Sequence, residues 1–358
     1  MSLTEWAQRW QRTEPDLLVH DPGGPRECLV RPGELVLPAD AVDSAMRTLD
    51  RWVDRVEPAE ALATLRLRAG VGCVELAEDV GERLPVTANH VHVGSPILLG
   101  TGAVPEPAVL PPAPPDELWD PPVTVAVLDS GLDPHPWFAG RRWLSEWGLQ
   151  PEVLDADDDG VADYQAGHGT FVTGVLLRHA PGVTVRHRRV LSSQGLTDDR
   201  TVAEGLRAIR HRAMRTREHV DVLLLSAGCH TIDDRCPPVL AHELARFTDA
   251  VVVAAAGNGG TSRPFWPAAA ADVVAVGARA PFSNHGPWVD TIAPGVDVVS
   301  SHVQLRPAAG LAGDTEPRVY GAARWSGTSF AAPRIAADVA CLLRDGLTAT
   351  EAKLKVAG

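Results

Sequence analysis

The chain has 358 residues, 45% hydrophobic and 22% charged, which excludes a wholly disordered or fibrous protein and suggests about two domains. With 33 basic against 46 acidic residues the formal net charge is −13, so nucleic acid is not an expected partner. No apolar run approaches the roughly 18 residues that span a bilayer, and Met1 to Trp10 lack the apolar core of a secretory signal; a cytoplasmic location with no membrane partner is expected.

Residues 1–98 read as a small α+β module. Asp40 is placed as an N-cap before an apolar series at Val42, Ala45, Met46, Leu49, Trp52 and Val53, spaced as one helix face. Ala63 to Ala69 alternates as a half-buried strand, and Val86 to Val93 reads as another. Residues 99–119 form a linker with too many prolines for regular hydrogen bonding, expected to be extended and exposed.

The pattern changes over 120–347. Short β-branched runs at 123–128, 183–191, 220–225, 250–256 and 273–276 alternate with amphipathic segments, among them a helix marked by Val202, Leu206, Ile209 and Ala213. Runs that are apolar on both faces predict strands covered on both sides: an α/β fold with a mainly parallel sheet between helices. Residues 348–358 read as a C-terminal tail. Cys28, Cys73, Cys229, Cys236 and Cys341 are few and odd in number and are expected as free thiols, with no zinc-like spacing.

Four segments carry chemistry. The first buried strand ends in Leu128-Asp129-Ser130-Gly131; functional groups gather at the carboxyl ends of parallel strands, although Asp-Ser-Gly is also ordinary turn chemistry. Gly167-His168-Gly169-Thr170 places a histidine, able to move a proton near neutral pH, at the mouth of an apolar helix. Ser326-Gly327-Thr328-Ser329 opens another, whose unpaired amides favour a developing anion; a plain N-cap serine is the competing reading. Ala254 to Gly259 closes a buried strand with Asn258, whose amide can donate to an oxyanion.

In the order Asp, His, Asn, Ser these segments resemble the subtilisin-like serine proteases over roughly 120–345. Phe282-Ser283-Asn284-His285-Gly286 and Ile292-Ala293-Pro294-Gly295 add to the likeness. The resemblance implies a subtilisin-like three-layer fold and a serine endopeptidase in which Asp129, His168 and Ser329 form the triad and Asn258 assists the oxyanion hole. It implies an extended peptide or protein substrate along Ser226, Ala227 and Gly228, near Gly257. It requires no cofactor for the chemistry and leaves room for structural calcium and for a regulatory partner. Phe171 and Thr173 depart from the family pattern and are expected to change packing near the cleft.

Asp155, Asp157, Asp159 and Gly160 are spaced like the opening of a calcium loop, but Ala166 stands where the closing glutamate belongs, so a solvated acidic loop is the better reading and no metal ligand is assigned. The N-terminal module resembles the family's inhibitory propeptide, or serves as a retained regulatory domain, or completes the catalytic fold. The competing function is a catalytically silent subtilisin-like scaffold. An α/β-hydrolase is disfavoured because its serine precedes Asp and His in the chain.

Overall fold

A computed structural model describes residues 3–94, 104–306 and 318–357. The N-terminal region contains α1 (Leu3–Trp10), β1 (Leu18–His20), β2 (Cys28–Pro38), α2 (Val42–Leu49), β3 (Val53–Pro58), β4 (Leu62–Leu67), α3 (Cys73–Val80) and β5 (Thr87–Val93). After β6 (Glu106–Ala108) come β7 (Thr124–Asp129), α4 (Trp143–Glu146), α5 (His168–His179), β8 (Thr184–Arg189), β9 (Leu196–Asp198) and α6 (Asp199–Thr216). The chain continues through β10 (Val222–Leu225), α7 (Pro238–Leu244), β11 (Val251–Ala255), β12 (Val273–Ala278) and β13 (Thr291–Ala293). It ends with β14 (Val298–Leu305), β15 (Arg318–Trp325), α8 (Thr328–Arg344) and α9 (Ala349–Ala357).

Six parallel strands in the order β13-β12-β11-β10-β7-β8 form the central sheet. The two-residue period of a strand sorts their side chains into separate cores. Val125, Val127, Val222, Leu224 and Val253 pack with α5 and α8, whereas Ala126, Leu128, Leu223, Leu225 and Ala254 pack with α6 and α7. Both faces are dry, which is why these strands read as continuous apolar runs. The predicted α/β three-layer fold is the observed one. Beside it, β14, β15 and β6 form a small antiparallel sheet.

The N-terminal module is the expected α+β unit. Strands β3-β4-β2-β5 form its sheet, and α2 and α3 bury Ala45, Leu49, Val74 and Ala77 against it. Its last strand does more than complete that sheet: β5 also pairs antiparallel with β9, joining the module to the other half of the chain.

Four local expectations are corrected. Asp40 is not the N-cap; it lies in a one-turn 3-10 segment, Ala39–Ala41, and Ala41 precedes α2 without a side-chain cap. Trp52 and Val53 fall beyond α2, with Val53 opening β3. The proline-rich stretch is not wholly without regular bonding: Glu106 to Ala108 pairs with Ala322 to Arg324 as an edge strand, the position where proline is tolerated. The tail is a helix, α9, whose Ala352 is fully buried in the core that α8 shares, so the packed unit extends past 347. Among the described residues no helix is long and apolar enough to cross a membrane.

Candidate active site

Asp129 is the last residue of β7 and His168 the first of α5, so strand end and helix mouth face each other across the top of the sheet. The His168 Nδ1–Asp129 Oδ1 distance is 2.6 Å and both side chains are inaccessible to solvent. The Ser130 amide also donates to Asp129 Oδ1, at 2.8 Å. Burial pushes the Asp129 carboxyl up, but the charge and hydrogen bond of His168, with His187 and the Ser130 amide, outweigh it and hold it below the usual range. An ionised Asp129 accepts from Nδ1–H, which leaves a lone pair on Nε2 for taking a proton.

That Nε2 is buried and has no hydrogen-bond partner among the described residues. Its surroundings are dry: Trp325 lies edge-on at 5.5 Å between ring centroids and Phe330 at 5.4 Å. Phe171, one of the departures from the family pattern, packs against the same rings, at 4.5 Å from Phe330 and 5.7 Å from Trp325. Gly169 makes the close approach possible, since a Cβ there would stand 2.2 Å from the Gly131 carbonyl oxygen.

Ser329 is the second residue of α8 and Gly327 is its N-cap, so the plain N-cap reading of this serine is excluded. The expected Ser329–His168 hydrogen bond is not made either. The Ser329 hydroxyl donates to the Ser226 carbonyl at 2.8 Å, just past the end of β10. A hydroxyl has one proton, and the strong carbonyl acceptor holds it.

Asn258 closes the arrangement. Its Oδ1 accepts from the Thr328 amide at 2.9 Å and the Thr328 hydroxyl at 3.0 Å, tying the end of β11 to the start of α8. Its buried Nδ2 has no partner among the described residues, the state expected of a donor reserved for a developing charge. Gly257 turns the chain at φ 92°, and its amide donates to the Thr328 hydroxyl at 3.0 Å. Asn284 pins the following loop, its Oδ1 accepting from Gly259 at 2.9 Å and its Nδ2 donating to Ala256 at 2.8 Å.

Glu152 belongs to the site although no motif marks it. It is 1% exposed, and accepts from the Ser130 hydroxyl at 2.8 Å and the Thr170 amide at 2.9 Å, while Ser130 Oγ accepts from Gly169 at 2.9 Å. This chain of bonds fixes the mouth of α5 against the end of β7. Burial pushes the Glu152 carboxyl up to about 7; Asp129 and Asp133 add to the rise, and its hydrogen bonds oppose it. A carboxyl raised from 4.5 to about 7 contributes stability that is present below pH 4.5 and lost as pH rises through 7. Unfolding by urea at pH 4.5 and pH 8 is therefore expected to show Glu152→Gln gaining up to about 3 kcal/mol on the wild type between the two. A pH-independent difference would overturn the protonated assignment.

The substrate edge named from the sequence is occupied. Gly228 and Val93 of β5 exchange both backbone bonds, Val93 N–H to Gly228 O at 2.7 Å and Gly228 N–H to Val93 O at 3.2 Å. On its other side β5 pairs with β9, and Gly94 donates to Gly195 O at 2.7 Å. The end of the N-terminal module thus runs as an extended strand between two edges of the cleft. A cavity of about 330 Å³ lies beside it, walled by Ser226, Gly257, Asn258 and Phe265 and closed on the module side by Cys28 and Leu29. Ala227 is buried, in the core shared with α6 and α7.

Two other groups could attract a metal. His92, Asp199 and Cys229 bring donor atoms within 4.8 Å of one another, but the ring and carboxylate are already hydrogen-bonded at 2.8 Å, and they form a second His–Asp pair with no serine attached. Asp155, Asp157 and Asp159 also gather within 4.8 Å. There both oxygens of Asp155 accept loop amides, from Asp159 at 3.1 Å and Gly160 at 2.8 Å. The loop is closed by these bonds of its own. All five cysteines are unpaired, as expected from their number.

Residues 120–356 match the sequence profile of the subtilase family. A thermophilic serine proteinase of Bacillus sp. strain AK1 is 33% identical over 240 residues, covering 62% of this chain and 52% of that protein. Subtilisin E of Bacillus subtilis is 31% identical over 253 residues, covering 65% of this chain and 58% of its own. The chain spans about half the length of these curated relatives. Fervidolysin of Fervidobacterium pennivorans, a keratinolytic enzyme related to subtilisin, shares the fold with a TM-score of 0.57 at 20% identity, over 89% of this chain and 56% of that one. The family profile covers well over half of the chain, with Asp129, His168, Asn258 and Ser329 all inside the matched stretch: the chain belongs to the subtilase family.

Proposed function

We propose that this protein is a serine endopeptidase whose cleft is occupied, in the described state, by its own N-terminal module. Ser329 is the nucleophile, His168 the general base and then acid, and Asp129 the group that fixes the imidazole tautomer and supports its positive charge. Asn258 Nδ2 and the Ser329 amide at the start of α8 hold the oxyanion. The observation that carries the reading is the dry 2.6 Å Asp129–His168 pair, whose Nε2 is left without a partner beside the first turn of α8. No metal takes part in this chemistry.

The substrate is a peptide or protein in extended form, added as a strand along Ser226, Ala227 and Gly228, where β5 now lies. Nucleic acid and membranes are outside the proposed partners. Residues 1–98 act as a regulatory or propeptide-like module, because the strand that closes its sheet also fills the cleft. A reducing cytoplasm suits the five unpaired cysteines. The seat of the Ser329 hydroxyl on Ser226 matches a latent peptidase, since its one proton is committed away from His168.

Labelling by a fluorophosphonate probe tests the reading. Selective modification of Ser329, rising when the module is unseated, is the expected result. An open cleft in which Ser329 stays unlabelled leaves only the silent scaffold.

A further inference from the structure

Asp199 is the first residue of α6, capped by Asp198, and its side chain is fully buried between that helix and β5. It accepts three hydrogen bonds from the module strand: His90 Nδ1 at 2.8 Å and His90 N–H at 2.9 Å on Oδ2, and His92 Nε2 at 2.8 Å on Oδ1. Both rings reach one carboxylate because residues two apart share a strand face. Val91, on the opposite face, packs with Leu29, Tyr164 and Leu196 instead. Asp199 belongs to the peptidase half, whereas all three donors belong to the segment lying where a substrate would lie.

We propose that Asp199 is a specificity-determining residue, selecting extended substrates that carry imidazole or cationic side chains at the two positions taken here by His90 and His92. The inference rests on the reading of the 226–228 edge as the substrate edge and names the substrate class for that cleft. The position of His92 is one residue before the one that pairs with Gly228, and that of His90 is two residues earlier. When the module leaves, its donors leave with it. An incoming strand then covers the carboxylate again and its backbone N–H replaces that of His90; histidine, arginine or lysine restores the two side-chain donors as well, whereas apolar side chains bury the carboxylate with both of those missing, the situation against which enzymes discriminate most strongly. The selection is for a donor-x-donor pattern and does not depend on the cavity beside Asn258.

Fluorogenic peptides built on Thr87 to Gly94, with His90 and His92 each kept or replaced by Arg or Ala, test this on the full-length chain and its Asp199→Asn variant. Partial occlusion by the module divides every kcat/KM by the same competent fraction, so ratios between peptides survive it. The wild type is expected to favour His or Arg over Ala by roughly tenfold or more at the His92 position, and the ratio is expected to fall to about twofold in Asp199→Asn. No preference in the wild type, or an equal preference in the variant, overturns the proposal. Fluorescence polarisation with Ser329→Ala protein reads the same ratios without chemistry. Discrimination in binding without cleavage by the wild type keeps this proposal and removes the catalytic one; equal binding of the His and Ala peptides, or none of either, removes this one.

Discussion

Ser329→Ala is expected to lower kcat/KM on a good peptide substrate by about 10⁴-fold or more while the protein stays folded. The hydroxyl makes a hydrogen bond to the Ser226 carbonyl at 2.8 Å, so its removal costs about 1 kcal/mol of stability, a shift of a few degrees in Tm. The loss of rate arises because the neighbouring hydroxyl at the mouth of α8, that of Thr328, is committed to Asn258 and Gly257 and does not replace the nucleophile. His168→Ala is a less clean test. It strips the buried Asp129 carboxylate of its partner, and breaking a buried pair typically costs about 3–5 kcal/mol, so lost activity and lost structure would be confounded. Near-UV circular dichroism beside the kinetics separates the two effects. Wild-type turnover by purified Ser329→Ala would refute the triad, because Asn258 alone polarises a carbonyl without supplying a nucleophile.

Val93→Pro is expected to act in the opposite direction, raising kcat/KM about tenfold. Proline has no N–H, so the 2.7 Å bond from Val93 to Gly228 O is lost at the end of the strand that fills the cleft. About 1–1.5 kcal/mol removed from the docked state shifts the docked-to-open ratio by roughly tenfold. The His90 and His92 bonds to Asp199 remain, so unseating is partial in this variant and further advanced when His92→Ala is added. The increase must vanish when Ser329→Ala is combined with it. A rate that stays level or falls would mean that the strand completes the catalytic fold rather than obstructing it. In the wild type, the rate of proteolysis at the module boundary reports the same opening without any substitution.

The acid–base pair and the module dock through different residues, and this has a practical consequence. Glu152, Ser130 and Thr170 hold the mouth of α5 through local bonds that do not involve β5. Unseating the module therefore leaves the Asp129–His168 geometry intact, and the two expected results are separable.

The segments that carry the chemistry were legible because local geometry dictates their residues. A Cβ at Gly169 would strike the Gly131 carbonyl oxygen at 2.2 Å, and Gly257 holds φ at 92°, so a glycine beside His168 and one before Asn258 are required wherever such turns are built. The central sheet was legible for a related reason, since strands buried on both faces admit little but apolar residues. The sequence by itself thus determined the family, the layered α/β architecture and the placement of Asp129, His168, Asn258 and Ser329 at strand ends and helix mouths.

Tertiary structure alone decided the rest. Glu152 is an isolated carboxyl in the chain; its role is made by Ser130, 22 residues before it, and Thr170, 18 after. The pattern His90-Val91-His92-Val93 predicts a strand but not its partners, and Asp199 lies 109 residues beyond His90. The hydroxyl of Ser329 rests on Ser226 rather than His168 because two acceptors compete for its one proton, a balance no residue pattern encodes. Pairing over such separations depends on which edges the folded chain brings together, and a strand alternation that fits one edge fits another equally well.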